Sequence, residues 1–170
     1  TTVTQQRGEG QELMEHLGYL SQDANTGWRA VVGKVRDVER LPGDASTRKY
    51  YRVFAEHRSL ILMSMEPFAD RGESLPFLAV QKHLSQAKVA VPEVVDFNAS
   101  KGLILLEDLG DVTLLRELET VTSSADELKL FSKVVELLAV MHEQASHPSA
   151  TPGLESFGMR FDFEKLNWEI

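Results

Sequence analysis

The most constraining feature of this sequence is the order of its strand-like and helix-like runs between Val38 and Leu109. The segment that ends at Leu41, then "YYRVF", then "LILMSM" are three strand-like runs separated by short turns. Short connections favour antiparallel pairing of neighbouring strands. The sequence therefore predicts a three-stranded antiparallel meander from Val38 to Met65.

A helix and two more strands are predicted after the meander. Ser74 is a candidate helix cap, Pro76 suits the first turn, and the apolar stripe is formed by Phe77, Val80, Leu84 and Ala87. "EVVDF" and "LILLEDL" then read as strands, with Gly102 between them as the expected positive-φ residue of a turn. The predicted fold class is α+β, a five-stranded antiparallel sheet with one packed helix.

We place the sheet domain at residues 38–109, and helices are predicted both before and after it in the chain. Residues 1–37 form an N-terminal helical extension, with leucines at helical spacing at Leu13, Leu17 and Leu20. Residues 110–170 contain a short helix and then a long amphipathic one. The long helix has a capping-box pair at its start and a stripe along one side: Ser124 and Glu127, then Leu128, Phe131, Val135 and Leu138.

Composition excludes several classes of function. The net charge is −8, which argues against a broad nucleic-acid-binding face, although a local cationic pocket is compatible with it. Because the chain has no cysteine, it has neither disulfides nor thiolate metal sites. No apolar run is long enough to span a membrane, and the opening "TTVTQQRGEG" lacks the pattern of a signal peptide. We therefore expect a cytoplasmic protein with no membrane partner.

The stretch "LPGDASTRKYYRVF" is the first candidate binding element, and two interpretations of it are open. Gly-Asp and Ser-Thr are ordinary turn residues, so the stretch can be a hairpin with a solvated basic tip. Backbone N–H groups, hydroxyls and cations in such a turn can also bind an anion. The candidate anion-binding residues are Gly43, Asp44, Ala45, Ser46, Thr47, Arg48 and Lys49.

"GDASTRKYYRV" together with "LLEDLGD", at this separation, resembles the aminoglycoside phosphotransferase family, which has a protein-kinase-like fold. The resemblance is nearest to the bacterial branch of anomeric N-acetylmuramate and N-acetylglucosamine kinases, and it runs from Leu41 to Ile170. It implies ATP-dependent phosphoryl transfer to a hydroxyl of a sugar or aminosugar. It also implies that the glycine-containing loop covers the nucleotide phosphates. Main-chain atoms of Glu107 and Leu109 are expected to bind the adenine edge.

Three departures from kinase-like patterns are visible in the sequence. The loop has one glycine rather than G-x-G-x-x-G, and there is no Walker A motif. The third strand should carry a lysine for the phosphates, but Met63 stands near that position, so Arg48 or Lys49 is expected to supply the charge. The helix position of that lysine's glutamate partner falls within residues 77–80, which are uncharged.

The family's catalytic loop, H-G-D-x-x-x-x-N, is absent from these residues. The resemblance therefore implies an N-terminal lobe with the first helices of a C-terminal lobe. The catalytic base and magnesium ligands would lie in the remainder of that second lobe, and the 170 residues alone should be inactive. Self-association is expected through apolar residues that the second lobe would cover: Phe161, Phe163, Leu166 and Trp168.

Alternative interpretations remain at this point. The protein can be a catalytically inactive kinase-like binding module, since the third-strand lysine is missing, or a choline-kinase-like relative with another acceptor. The carboxylates of Glu107, Asp108 and Asp111 can form an acid–base or metal site, although a helix start at Asp111 and solvation explain them better. None of the five histidines pairs with another ligand at metal spacing, so no metal site is predicted.

Overall fold

The computed structural model describes residues 3–18, 28–42, 47–68, 75–147 and 154–158. Most of the candidate loop, residues 43–46, lies outside these ranges, as do Leu20, Ser74 and residues 159–170. The backbone divides into two compact units. The sheet unit comprises Thr1–Gly72 and Pro92–Asp111, and the helical unit comprises Glu73–Val91 and Val112–Ile170.

The sheet unit contains a five-stranded antiparallel sheet in the order β1-β2-β3-β5-β4. This confirms the α+β class and the strand count expected from the sequence. The first strand begins three residues earlier than expected. The strands are β1 Val35–Arg40, β2 Lys49–Ala55, β3 Ser59–Ser64, β4 Val94–Asn98 and β5 Leu103–Glu107.

One face of the sheet packs against helices α1 (Val3–Gly18) and α2 (Trp28–Val32). Helix residues and strand residues form one buried apolar cluster: Leu13, Leu17, Trp28, Val32, Tyr51, Val53, Leu60, Leu62, Leu103 and Leu105. Each fully buried leucine stabilises the fold by roughly 1.5–3 kcal/mol relative to an exposed one. These ten residues therefore anchor the sheet, and we call their side of it the core face.

The opposite side of the sheet carries the one charged residue in the middle of β2, Arg52. Arg52 pairs with Ile61 on β3, and Ile61 pairs with Leu106 on β5. Because side chains alternate along a strand, these residues share a face that is opposite to Tyr51 and Val53. We call it the Arg52 face, and it also contains Tyr50, Met63 and Ile104.

The turn between β4 and β5 depends on Gly102, as expected from the sequence. A 3₁₀ turn, Ala99–Lys101, is capped by the Asn98 side chain, and Gly102 follows with φ = 63°. The Gly102 carbonyl accepts a 2.8 Å hydrogen bond from the Met65 N–H. A Cβ atom on Gly102 would overlap the Met65 carbonyl and the Glu66 backbone. The position therefore requires glycine for both conformation and space.

The helical unit contains α3 (Pro76–Gln86), which follows β3 in the chain, together with α4 (Leu114–Thr120) and α5 (Ser124–Ala145). Buried His83 on α3 joins it to α5, because its Nε2 lies 2.7 Å from the Ala145 carbonyl. The α5 cap is Ser123, which accepts from the Asp126 N–H, one residue earlier than the predicted pair.

The apolar stripe predicted on α5 is solvent-exposed in this structure. Leu128, Phe131, Val135 and Leu138 all lie on the surface, with Leu128 68% exposed. The helix itself is confirmed and extends from Ser124 to Ala145. Among the described helices, none has the length and apolar character needed to cross a membrane.

Candidate functional site

The central feature of the candidate site is an ion pair between Arg52 on β2 and Asp108, which directly follows β5. Asp108 lies two residues beyond Leu106, so strand alternation continues onto the Arg52 face. Arg52 Nε lies 2.8 Å from Asp108 Oδ2, and Arg52 Nη2 donates to Oδ1 at 3.2 Å. One of these contacts, from Nη2, is a charge-assisted hydrogen bond, and the Nε contact is an ion pair without hydrogen-bond geometry.

The Asp108 carboxylate is nearly enclosed and has two further donors. Its side chain is 4% exposed, Oδ1 accepts a 2.9 Å hydrogen bond from the Gly110 N–H, and the Ser59 hydroxyl also donates to it. Burial alone would raise the pKa of Asp108, but the donors Ser59, Gly110 and Arg52 together lower it below the ordinary value. A carboxylate held in the ionised form by these three donors is a poor proton acceptor, which argues against a role as general base.

Asp111 is the second, exposed partner of the same guanidinium. Arg52 Nη1 donates to Asp111 Oδ2 at 2.9 Å, and the Asp111 side chain is 65% exposed. Hydrogen bonds to Asp111 and Asp108 raise the pKa of Arg52 further above its already high value. The expected solvation therefore describes Asp111 but is wrong for Asp108. The helix start expected at Asp111 is also wrong, because α4 begins at Leu114 with Thr113 as its cap.

Residues 107–111 comprise the last residue of β5 and the four residues that follow it, and we call them the connecting segment. Its first residue is fixed by β4-side contacts: the Glu107 N–H donates to the Glu93 carbonyl at 2.9 Å, and the Glu93 N–H donates to Glu107 Oε2 at 3.1 Å. The Leu109 side chain is exposed. Gly110 has φ = 81° with open space where a Cβ would stand. The connecting segment is thus hydrogen-bonded at Glu107 and solvent-exposed at Leu109.

The candidate phosphate loop is described only from Thr47 onwards. Thr47 and Lys49 are exposed and Arg48 is half-buried. Lys49 begins β2 and shares the core face with Tyr51, so continuing the alternation by one residue assigns Arg48 to the Arg52 face. Strand alternation therefore predicts opposite sides of the sheet for the two cations that the sequence offered as equivalents.

Met63 occupies the centre of the Arg52 face. It pairs with Tyr50 on β2 and Ile104 on β5 and is fully buried. Residues 59–64 of β3 contain no cation, so this strand brings no positive charge to the face. The cation that β2 itself places on this face is Arg52, which is already paired with two carboxylates.

Sequence reasoning did not find the network that links Arg52, Asp108 and Ser59. One signal was available: Arg52 stands between Tyr51 and Val53, and the next strand in the chain, "LILMSM", is almost wholly apolar. A charge in such a place requires a partner, since an unpaired buried charge is strongly unfavourable. In the part of the chain that the structure describes, no group of three or more histidine, aspartate and glutamate side chains could hold a metal ion.

Comparison with known proteins identifies the family. The model of the phosphotransferase enzyme family that contains the aminoglycoside phosphotransferases matches residues 37–169. An N-acetylmuramate/N-acetylglucosamine kinase of Pseudomonas aeruginosa is 36% identical over 104 residues, which cover 60% of this chain and 28% of that protein. A protein of the same name from Neisseria meningitidis is 30% identical over 129 residues, 74% of this chain and 37% of its own length.

A third protein of this name, from Caulobacter vibrioides, is 28% identical over 129 residues, covering 61% of this chain and 35% of that protein. The chain thus spans about a third of the length of the curated relatives it matches. The family match begins inside β1, after its first two residues, and includes the other four strands. It also includes the connecting segment and the described helices that follow that segment. This chain therefore belongs to the phosphotransferase enzyme family.

Proposed function

We propose that the chain is the nucleotide-binding part of an ATP-dependent phosphotransferase that phosphorylates a hydroxyl of a sugar or aminosugar. The observation that carries this proposal is the family match through the sheet and the connecting segment, residues 37–169. Three relatives named as N-acetylmuramate/N-acetylglucosamine kinases support the acceptor class.

The adenine edge is proposed to bind main-chain atoms of Glu107 and Leu109. The side-chain oxygens Glu107 Oε2 and Asp108 Oδ1 already accept main-chain hydrogen bonds from within the protein. These occupied side chains favour recognition of the base by main-chain atoms. The Gly110 N–H is also used, by Asp108. Recognition through the remaining main-chain groups of an exposed, glycine-containing segment is consistent with these contacts.

The nucleotide phosphates are proposed to bind the loop of residues 43–49 and the cation at its end. Of Arg48 and Lys49, strand alternation favours Arg48, since it falls on the face where the missing lysine would stand. A guanidinium offers several N–H donors to phosphate oxygens and stays charged at any physiological pH. Arg48 is thus the cation proposed to contact the phosphates.

Magnesium would neutralise charge on the phosphate oxygens during transfer. The described residues do not fit a magnesium site, because they form no cluster of ligands and the enclosed Asp108 carboxylate is taken by Arg52. We propose that the metal ligands and the catalytic base belong to other parts of the whole protein. The contribution of this chain is then to bind and orient ATP, and alone it should not transfer phosphate.

A direct test uses the full-length protein, labelled ATP and three acceptors: N-acetylmuramate, N-acetylglucosamine and choline. We expect a labelled sugar phosphate from at least one of the two aminosugars and none from choline. Transfer to choline alone would overturn the acceptor assignment. ATP binding by calorimetry without transfer to any acceptor would instead favour the inactive binding module, which the uncharged β3 strand makes the second candidate.

A further inference from the structure

We propose that Arg52 is a positioning residue that sets the orientation of the connecting segment for recognition of the nucleotide base. The inference rests on the proposed function, because it assumes that the connecting segment binds the adenine base. It assigns a role to a side chain on β2 that does not itself contact the base. Main-chain atoms of the connecting segment contact the base, and Arg52 sets the orientation of those atoms.

The Asp108 carboxylate connects Arg52 on β2 to the peptide bond between Leu109 and Gly110. Arg52 Nη2 and the Gly110 N–H both donate to Asp108 Oδ1, at 3.2 and 2.9 Å. Arg52 Nε lies 2.8 Å from the other oxygen as an ion-pair contact without hydrogen-bond geometry, so rotation of the carboxylate would separate the two charges. The Gly110 N–H is therefore aimed at a fixed point.

That fixed N–H sets the direction of a carbonyl. The peptide between Leu109 and Gly110 is planar and trans, so the Leu109 C=O points opposite to the Gly110 N–H. With the N–H directed at Asp108, the Leu109 carbonyl is directed away from that carboxylate. Gly110 alone would leave this peptide free to turn, because glycine at φ = 81° has many accessible conformations and nothing crowds it.

The anchor for this arrangement is the rigid centre of the sheet. Arg52 lies between Tyr51 and Val53, both buried in the core face, so its backbone cannot shift. Ser59, at the start of the neighbouring β3, donates to the same carboxylate. Lysine could not replace arginine here, because one ammonium cannot meet both oxygens of Asp108 in a plane and reach Asp111 as well.

The location of the network predicts which part of ATP it influences. Arg48 directly precedes β2 and lies four residues before Arg52, a separation of about 13 Å at the ordinary strand rise. Arg52 is also neutralised by two carboxylates. Loss of the Arg52 network should therefore weaken binding of the base, whereas loss of Arg48 should weaken binding of the phosphates.

The test measures affinities of the full-length protein for ATP, GTP and adenosine by calorimetry. For Arg52→Lys we expect affinity for adenosine and for ATP to fall by the same factor, about tenfold, the size of one lost charge-assisted hydrogen bond. The preference for ATP over GTP should fall with it. For Arg48→Ala we expect weaker ATP binding with adenosine affinity unchanged.

The matched control is Arg40→Lys, the same substitution on β1 of the same sheet. Arg40 is 52% exposed and pairs at 3.3 Å with exposed Glu9, so its affinities should equal those of the unmodified protein. Hydrogen exchange of the Gly110 amide gives a second reading, and we expect it to accelerate in Arg52→Lys but not in Arg40→Lys. If Arg52→Lys does not fold, Asp108→Asn receives the same measurements.

The outcomes separate the two proposals. An unmodified protein that binds neither ATP nor adenosine overturns the proposed function and the inference with it. Normal binding by the unmodified protein, with an Arg52→Lys variant that keeps its adenosine affinity, overturns the inference alone. An equal loss in Arg40→Lys would also overturn it, because the effect would then belong to the sheet in general.

Discussion

At the scale of single residues, two glycines with positive φ have very different requirements. Gly102 has φ = 63° and adjoins the Met65 carbonyl and the Glu66 backbone, whereas Gly110 has φ = 81° and open space around it. Sequence inspection identified the first as a turn residue. Only the three-dimensional structure shows that one is crowded and the other is free.

We expect Gly102→Ala to destabilise the protein much more than Gly110→Ala. Both substitutions incur the left-handed backbone cost of about 1 kcal/mol, and the clash at Gly102 adds about 2 kcal/mol. Urea unfolding of the two variants measures the difference. Equal losses would show that the backbone near Met65 moves aside without cost and would contradict the crowding seen here.

Also at the residue scale, Asp108 and Asp111 share one arginine but differ in burial. Asp108→Asn removes the enclosed charge beside Arg52 and should reduce the free energy of unfolding by about 3 kcal/mol. Asp111→Asn breaks an exposed contact and should cost less than about 1 kcal/mol. Urea unfolding at pH 7 compares the two variants, and a larger loss in Asp111→Asn would contradict the assignment.

The Asp108 effect has a defined pH dependence. The folded-state pKa of Asp108 is lowered, so its ionised form stabilises the native state above the unfolded-state pKa of about 4. That contribution is lost as the pH falls below about 4 and through the lowered folded-state value. The stability difference between the unmodified protein and Asp108→Asn should thus be constant from pH 7 to 5 and shrink in more acid solution.

At the scale of elements, α5 shows how a helical pattern can be right while its expected packing is absent. The 3.6-residue apolar period of Leu128, Phe131, Val135 and Leu138 requires only local geometry, so the helix was predictable. Whether that stripe is covered depends on what packs against it. In the described chain the stripe is exposed.

Strand β5 is the opposite case, because its sequence already indicates its environment. Leu103, Ile104, Leu105 and Leu106 have no polar alternation, which indicates a strand buried on both faces. The structure places it between β3 and β4, with all four residues buried. The first polar side chains, Glu107 and Asp108, mark the end of the strand and the start of the connecting segment.

At the scale of the whole molecule, the exposed stripe of α5 predicts association. An apolar patch of this kind on a soluble chain favours burial against another surface. We expect the 170-residue chain to self-associate as its concentration rises, and Val135→Gln with Leu138→Gln to reduce this. Lys133→Gln with Glu136→Gln, on the same helix, is the control. A monomer at every concentration in sedimentation velocity would contradict the prediction.

The sequence also predicts self-association through four aromatic and aliphatic residues that lie outside the described residues: Phe161, Phe163, Leu166 and Trp168. The α5 stripe gives the same expectation a basis in described side chains. The variants above therefore test α5 alone. Residual association in the double variant would direct attention to the C-terminal residues.

The sequence by itself determined the elements of this protein: the order of strands and helices, the glycine turn at Gly102 and the family to which the chain belongs. Those features depend on local periodicity, turn chemistry and short words such as "LLEDLGD". Only the tertiary structure decided the partners of Arg52 and the burial of Asp108. These depend on strand register, which brings together residues more than fifty positions apart in the chain, and no local pattern encodes it.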